Sequence, residues 1–155
     1  MSNDKQVTGN IGVYYVAWQL SRIGWNVMLT VRNAKGADMF AVSEDENTQH
    51  PIQVKAHAAK PQDTFLGLQP EKHVTRWWMF VAFARSAEPV CYVVSLDEVR
   101  VRMGRDPGTR SGKTELERSF WLDRRYYTPG SDREMIEARN AWHRLGPART
   151  TISQI

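Results

Sequence analysis

The chain has 155 residues, of which 41% are hydrophobic and 25% are charged, and six are tryptophan. This composition is typical of a globular protein with its own core and excludes a disordered chain. No apolar run approaches the roughly 18 residues of a membrane-spanning helix. Residues 1–6 lack the apolar core of a signal peptide, and Cys91 is the one cysteine, so we expect a reduced, cytoplasmic protein without membrane contact.

The net charge of +4 is unevenly distributed along the chain. Residues 100–155 hold twelve basic and seven acidic side chains, whereas the two signs nearly balance over residues 1–99. A basic surplus in one part of a chain is typical of a surface that faces nucleic acid, although a solvated basic surface has the same composition. If DNA is the partner, the contact residues that we expect are Arg105, Arg110, Lys113, Arg124 and Arg125.

The N-terminal part of the chain is predicted to form a helix followed by a strand. Thr8 or Asn10 can cap the helix, which runs to about Arg22, and residues 1–7 are expected to be frayed. A glycine follows the helix, and apolar and polar residues then alternate over 25–31, as in a strand. The apolar stripe of the helix consists of Val13, Val16, Ala17 and Leu20.

Residues 37–56 have the pattern of two strands around a polar turn at residues 45–48. Alternation puts Gln53 and Lys55 on one face of the second strand, with its apolar residues on the other face. Paired positions in an antiparallel hairpin sum to a constant, which is about 93 for this turn. This register sets Asp38 opposite Lys55 or close to Gln53.

The second half of the chain is predicted to add two strands and two helices. A long loop over 57–76, with at most a short helix, leads to two apolar runs at 77–84 and 90–94 that are typical of buried strands. Tryptophans in the first run, at 77 and 78, are expected in the core, although exposed ones would stack on bases. The two helices predicted are one from Ser95 to about Gly104 and one from Ser131 or Asp132 to Leu145, stopped by Gly146.

This order of elements indicates an α/β protein with a mixed central sheet flanked by helices. Because the two strands of a hairpin are antiparallel, the sheet cannot be purely parallel. The length favours a single domain over residues 1–155. We expect its core at about 8–94 and a basic C-terminal extension with helices at 95–146.

Asp38, Gln53 and Lys55 bring a carboxylate, an amide and an ammonium group to one end of the predicted hairpin. Such groups suit a phosphate-directed metal site, because oxygen ligands hold a hard divalent cation and an ammonium stabilises charge on a phosphodiester. Each residue also has a structural alternative. Asp38 can accept hydrogen bonds at a strand start, and Gln53 and Lys55 can lie on an exposed strand face.

The constellation resembles the PD-(D/E)XK nuclease superfamily, whose core strands carry an Asp and then an acid-x-Lys motif. The segment before it resembles the first helix of archaeal-type Holliday-junction resolvases, which contains Gly-x-x-Gly. The resemblance covers roughly residues 8–94. The matching residues are Gly9 and Gly12 in the helix, Asp38 at the first strand position, and Gln53, Val54 and Lys55 at the second.

The resemblance implies a restriction-endonuclease-like αβββαβ core and cleavage of DNA that depends on Mg²⁺ or Mn²⁺. It implies that Asp38, the Gln53 amide and the Val54 carbonyl ligate the metal, and that Lys55 is the catalytic cation. Asp38 and Gln53 are thereby also catalytic residues. Members of the superfamily often pair, so the resemblance also implies a homodimer.

Two positions depart from the pattern of the superfamily. Val13 stands where the resolvase helix carries Glu, and Gln53 stands where the second strand usually carries an acid. Both departures remove negative charge that would bind a metal. The alternative function is therefore a catalytically inactive nuclease-fold module that binds DNA or another protein.

Overall fold

The structure is a computed structural model, and it describes residues 2–31, 36–61, 64–65, 74–105, 119–120 and 135–149. These residues form an α/β fold with a five-stranded mixed sheet and helices on both of its faces, as predicted. The elements are α1 (Ser2–Arg22), β1 (Asn26–Leu29), β2 (Met39–Val42), β3 (Gln49–Ala56), β4 (Thr64–Phe65), β5 (Trp77–Ala82), β6 (Val90–Ser95), α2 (Leu96–Arg105), β7 (Ser119–Phe120) and two 3₁₀ turns (Ile136–Ala138 and Trp142–Leu145).

The main sheet has the strand order β1-β2-β3-β5-β6, and β4 pairs with β7 in a separate two-stranded sheet. Within the main sheet β3 and β5 are parallel, and every other neighbouring pair is antiparallel. A parallel pair needs a crossover connection, which in the αβββαβ order contains a helix. The described residues of this crossover, 57–61, 64–65 and 74–76, contain no helix.

The sheet separates two hydrophobic cores. One face packs against α1 through Val16 and Leu20, both fully buried. The other face packs against α2 through Val99. Trp78 lies in this second core at 4% exposure, and Trp77 is partly buried against the first, so the predicted core positions of both tryptophans are confirmed.

The first helix starts earlier than predicted. Residues 1–7 were expected to be frayed, but α1 begins at Ser2. Arg85, in the connection between β5 and β6, donates to the Asp4 carboxylate at 2.8 Å and to the Thr8 hydroxyl at 3.3 Å. An acidic side chain also favours the first turn of a helix. The Arg85 contacts span more than 70 residues of sequence, so local capping signals could not reveal them.

The prediction of a last helix ending at Leu145 is wrong. The described part, residues 135–149, contains two short 3₁₀ turns instead of an α-helix. Asn140 interrupts the helical pattern, with φ of 50°, and its backbone N–H donates to the Cys91 carbonyl at 2.6 Å while its side chain accepts from the Cys91 N–H at 3.0 Å. These bonds let the segment cross the edge of β6.

The same segment contributes to both cores, so the expected boundary at residue 94 does not separate a core from an extension. Met135 and Ala138 pack in the α2 core, whereas Ala141, Leu145 and Ala148 pack in the α1 core. The segment therefore wraps around the β6 edge from one face of the sheet to the other.

The predicted cap of α2 is confirmed. The Ser95 hydroxyl accepts a hydrogen bond from the Glu98 N–H at 3.2 Å, and the Glu98 carboxylate accepts one from the Ser95 N–H at 3.0 Å. This reciprocal pair is a capping box, which satisfies two backbone donors at the start of the helix.

Candidate functional site

The β2–β3 hairpin places Asp38 beside Gln53. The pairs run from Met39 with Ile52 to Val42 with Gln49, and continuing them by one residue sets Asp38 opposite Gln53. Of the two arrangements expected, the one close to Gln53 is therefore observed. The residue numbers of each pair sum to 91, so the predicted sum of about 93 is too high by two.

The register differs because the loop between the two strands is longer and centred earlier than the predicted turn. Ser43 and Thr48 close this loop: the Ser43 N–H donates to the Thr48 carbonyl at 2.9 Å, and the Thr48 N–H donates to the Ser43 hydroxyl at 3.0 Å. The Ser43 hydroxyl also donates to the Asp45 carboxylate at 2.6 Å. These side-chain bonds replace the tight turn that spacing alone suggests.

Asp38 lies where regular pairing of β2 ends. Its backbone N–H donates to the Ile52 carbonyl at 2.8 Å, and its carboxylate Oδ2 accepts a hydrogen bond from the Val54 N–H at 2.8 Å. The side chain thus takes the place of a backbone acceptor for β3. Because the N–H and C=O of a strand residue point to the same side, the Val54 carbonyl is also directed toward the Asp38 side of β3.

Gln53 and Lys55 share one face of β3, as predicted. Gln53 is paired with Trp78 and Lys55 with Phe80, and both partners lie in the α2 core. Ile52 and Val54 face the α1 core on the opposite side. Gln53 is 8% exposed, so its amide is a buried polar group.

Gly36 lies close to both the Gln53 amide and the Thr75 hydroxyl, and neither Gly36 nor Thr75 was among the predicted site residues. A Cβ at Gly36 would lie 3.9 Å from the Gln53 Oε1 and 3.3 Å from the Thr75 hydroxyl. Gly36 also has φ of 83°, a conformation that favours glycine. The one sequence signal was a glycine two residues before the acid, whereas nothing in the sequence connects Thr75 to the hairpin.

The electrostatics of Asp38 are those of an incompletely compensated carboxylate. Burial raises the pKa of Asp38 above its ordinary value, and the Val54 hydrogen bond and the Lys55 charge offset only part of this increase. The charged form is therefore less stable here than in water. A cation bound beside Asp38 would favour the charged form.

Val13 packs against the α1 core, as its place on the apolar stripe predicts. The neighbouring Gly12 brings α1 close to β3, because a Cβ at this position would lie 2.5 Å from the Ala56 Cβ. The helix position that carries Glu in the resolvases therefore lies near the end of β3 that holds Lys55, but it contributes an apolar contact.

The oxygen donors that were predicted to hold Mg²⁺ or Mn²⁺ are of the hard type but carry little charge. They are the Asp38 carboxylate, the Gln53 amide and the Val54 carbonyl, all hard ligands, with one negative charge among them. Mg²⁺ commonly keeps several waters and binds through one or two carboxylates together with substrate phosphates. Within the described ranges no three His, Cys, Asp or Glu side chains group closely enough to hold a metal, so an all-protein cage does not fit.

The predicted DNA-contact residues lie mostly beyond what the structure describes. Arg110, Lys113, Arg124 and Arg125 fall outside the described residues. Arg105 is the last residue of α2, but its side chain is not described. The DNA contacts therefore stay predictions.

Cys91 is not a nucleophile of this site. It is fully buried in the α1 core, and burial raises the pKa of its thiol. The reactive thiolate is thus disfavoured.

No described helix is both long enough and apolar enough to cross a membrane.

A comparison of the chain with family models, with curated proteins and with solved structures gave no match. The assignment of a function therefore depends on the residues of the site itself.

Proposed function

We propose that the protein is a metal-dependent DNA endonuclease of the PD-(D/E)XK type with a partly degenerate active site. The observation that carries the proposal is the environment of Asp38: a carboxylate whose pKa is raised by burial lies beside the Gln53–Val54–Lys55 segment. A perturbed acid next to a cation is a common feature of catalytic sites.

Each residue has a distinct role in this proposal. Asp38, the Gln53 amide and the Val54 carbonyl would hold one Mg²⁺ or Mn²⁺. The cation would polarise a phosphodiester oxygen and lower the pKa of a water. Lys55 stabilises the negative charge that develops on the phosphate. Because the chain supplies little negative charge, we expect the metal to bind much more tightly when the phosphate of DNA is present.

The basic surplus of residues 100–155 supports DNA as the partner. Exposed Tyr14 and Trp18 on α1, at 61% and 56%, support a two-fold dimer, because large exposed apolar side chains often mark interfaces. The buried, unpaired thiol of Cys91 is consistent with a cytoplasmic protein.

A second candidate function is DNA binding without catalysis. Two observations favour it: Val13, which the resemblance matches to a resolvase Glu, makes an apolar contact, and Asp38 already accepts a hydrogen bond from the Val54 N–H. A carboxylate used to complete the strand ladder does not require a metal.

The two candidates are separated by incubating the full chain with supercoiled plasmid and Mn²⁺. The endonuclease predicts nicking that Lys55→Ala abolishes and that Lys60→Ala, which removes an exposed charge in the next loop, leaves intact. Nicking that survives Lys55→Ala would refute the proposed mechanism. Salt-sensitive DNA binding without nicking in Mg²⁺ or Mn²⁺ would favour the non-catalytic module.

A further inference from the structure

The Thr75 hydroxyl is a buried polar group without a hydrogen-bond partner in the part of the chain that the structure describes. Thr75 lies just before β5 and is 5% exposed. Its backbone carbonyl accepts a hydrogen bond from the Trp78 indole N–H at 2.9 Å, whereas no described residue bonds to its hydroxyl. Burying a hydroxyl without a partner costs free energy, and a valine of similar shape would avoid that cost.

The Gln53 amide lies close to the same place and is in the same state. Gln53 is 8% exposed, and its side chain has no hydrogen bond to any described residue. Neither Gln53 nor Thr75 is among the residues whose polar atoms are both unpartnered and sealed from solvent. The polar ends of both side chains are therefore accessible to a ligand.

Gly36 keeps the space beside these two groups open. A Cβ at Gly36 would lie 3.3 Å from the Thr75 Oγ1 and 3.9 Å from the Gln53 Oε1, so both oxygens lie around one point next to the Gly36 Cα. Any other residue would place a carbon atom at this point, and the φ of 83° also favours glycine. These three residues therefore form a small polar recess, the Thr75 recess.

The charges around the Thr75 recess favour a phosphate that belongs to a DNA strand. Lys55 lies on the same face of β3 as Gln53, and the exposed Arg76 follows Thr75 in the chain. Hydroxyl and amide side chains commonly bind phosphate oxygens in protein–DNA complexes. Because the Asp38 carboxylate lies opposite Gln53, a free phosphate would be repelled, so we expect a phosphate that further contacts of the strand hold in place.

We propose that Thr75 is a further substrate-binding residue, whose hydroxyl donates to a non-bridging oxygen of the DNA backbone. Gly36 serves this contact by leaving the space beside the hydroxyl free. Since a phosphate contact carries no sequence information, it contributes to the affinity for every DNA sequence alike. The inference rests on the proposed function for the identity of the ligand, but it does not require that the strand is cleaved.

The test measures the binding of labelled DNA duplexes to the full chain by fluorescence anisotropy, with Ca²⁺, a hard cation that takes oxygen ligands, in place of Mg²⁺. Thr75→Val should weaken binding by at least ~10-fold, the loss expected for one hydrogen bond to a charged group, and by the same factor for two duplexes of unrelated sequence. Thr75→Ser keeps the hydroxyl and should restore most of the affinity. Thr48→Val makes the same change in the loop at the other end of the β2–β3 hairpin and should have no effect.

Urea unfolding of the same variants separates binding from folding. Because the hydroxyl has no partner in the described ranges, Thr75→Val should leave the urea midpoint unchanged or raise it. A lower midpoint for Thr75→Val would assign the hydroxyl to the fold and overturn the inference.

Two binding results would also overturn the inference. The first is equal affinity of Thr75→Val and the unmodified chain, and the second is a loss confined to one of the two duplexes, which would indicate a contact with a base. Nicking in Mn²⁺ is measured separately. An unmodified chain that binds DNA without nicking it refutes the proposed endonuclease but not the Thr75 contact, whereas nicking together with normal binding by Thr75→Val refutes the contact alone.

Discussion

The molecule pairs an acidic with a basic side chain at two places, Asp38 with Lys55 and Glu98 with Arg144. The pKa values of the two acids are shifted in opposite directions. Glu98 accepts hydrogen bonds from Arg144 at 2.6 and 3.3 Å and from the Ser95 N–H at 3.0 Å. Burial acts to raise the pKa of Glu98, but these bonds outweigh it and hold the pKa below its ordinary value. At Asp38 the balance is reversed, and the pKa is raised.

This difference supports the proposal that Asp38 serves function, whereas Glu98 belongs to a structural ion pair. Arg144 also donates to the Val93 carbonyl at 2.9 Å, so the Glu98 pair joins the C-terminal segment to β6 and α2. The charges of Glu98 and Arg144 therefore compensate each other within the fold. The charge of Asp38 is only partly offset by Lys55 and Val54, and a carboxylate left in this state is what a bound cation would stabilise.

The largest expected effect is on catalysis. Asp38→Asn should lower the rate of DNA nicking by at least ~10²-fold, because loss of one stabilising group in an active site typically costs this much. Glu98→Gln makes the same chemical change in the other pair and should leave the rate within about 2-fold, because Glu98 is not part of the proposed site and its loss acts on stability. A plasmid-nicking assay measures both, and equal loss in the two variants would remove the distinction.

The next effect tests how α1 holds the strand that carries Lys55. Gly12→Ala should lower the free energy of unfolding by about 1–3 kcal/mol, the usual cost of overpacking, because the new Cβ would lie 2.5 Å from the Ala56 Cβ. Gly9→Ala is the matched control. It meets no atom within 4 Å and should stabilise the helix by up to about 1 kcal/mol. Urea unfolding measures both changes, and destabilisation by both would contradict the packing described.

A smaller loss of stability should follow from breaking the structural pair. Arg144→Ala should cost about 1–2 kcal/mol, because hydrogen bonds between charged groups are strong but the two side chains are 23% and 34% exposed. Lys55→Ala should cost less than about 0.5 kcal/mol, as the proposed catalytic role of its charge predicts. A larger loss for Lys55→Ala than for Arg144→Ala would reverse the comparison.

The smallest effect is the pH dependence of stability. The pKa of Glu98 is lowered on folding from 4.5, so its contribution is complete above pH 4.5 and is lost as the pH falls through the folded-state value. The raised pKa of Asp38 has the opposite sign, with a contribution present below its unfolded pKa of 3.8 and lost as the pH rises. Urea unfolding from pH 3 to 7 tests both signs. Relative to the unmodified chain, Glu98→Gln should be less stable at neutral pH but nearly as stable at low pH, and Asp38→Asn should be more stable at neutral pH.

Much of the fold could be predicted from local patterns. Apolar alternation located the strands, and Ser95 with Glu98 located the start of α2. The errors lie where distant residues decide the backbone. Arg85 supports the first turns of α1, and the Cys91 backbone binds Asn140 in place of a continuing helix.

The relative placement of the candidate site residues was predictable from the sequence, but their electrostatics were not. Strand alternation was enough to bring Asp38, Gln53 and Lys55 to neighbouring strands. The register depended on side-chain bonds of Ser43, which spacing does not reveal. The raised pKa of Asp38 depends on burial by the folded chain, so it could not be inferred from the hairpin alone.

The central claim is that Asp38 belongs to a cation-binding site and Glu98 does not. Carbon-detected NMR can follow both carboxyl groups through a pH titration, with and without Mg²⁺ and a phosphorothioate oligonucleotide. We predict that Asp38 titrates above its ordinary pKa and Glu98 below it, and that Mg²⁺ with the oligonucleotide lowers the apparent pKa of Asp38 alone. An Asp38 pKa that Mg²⁺ and the oligonucleotide leave unchanged would contradict the account.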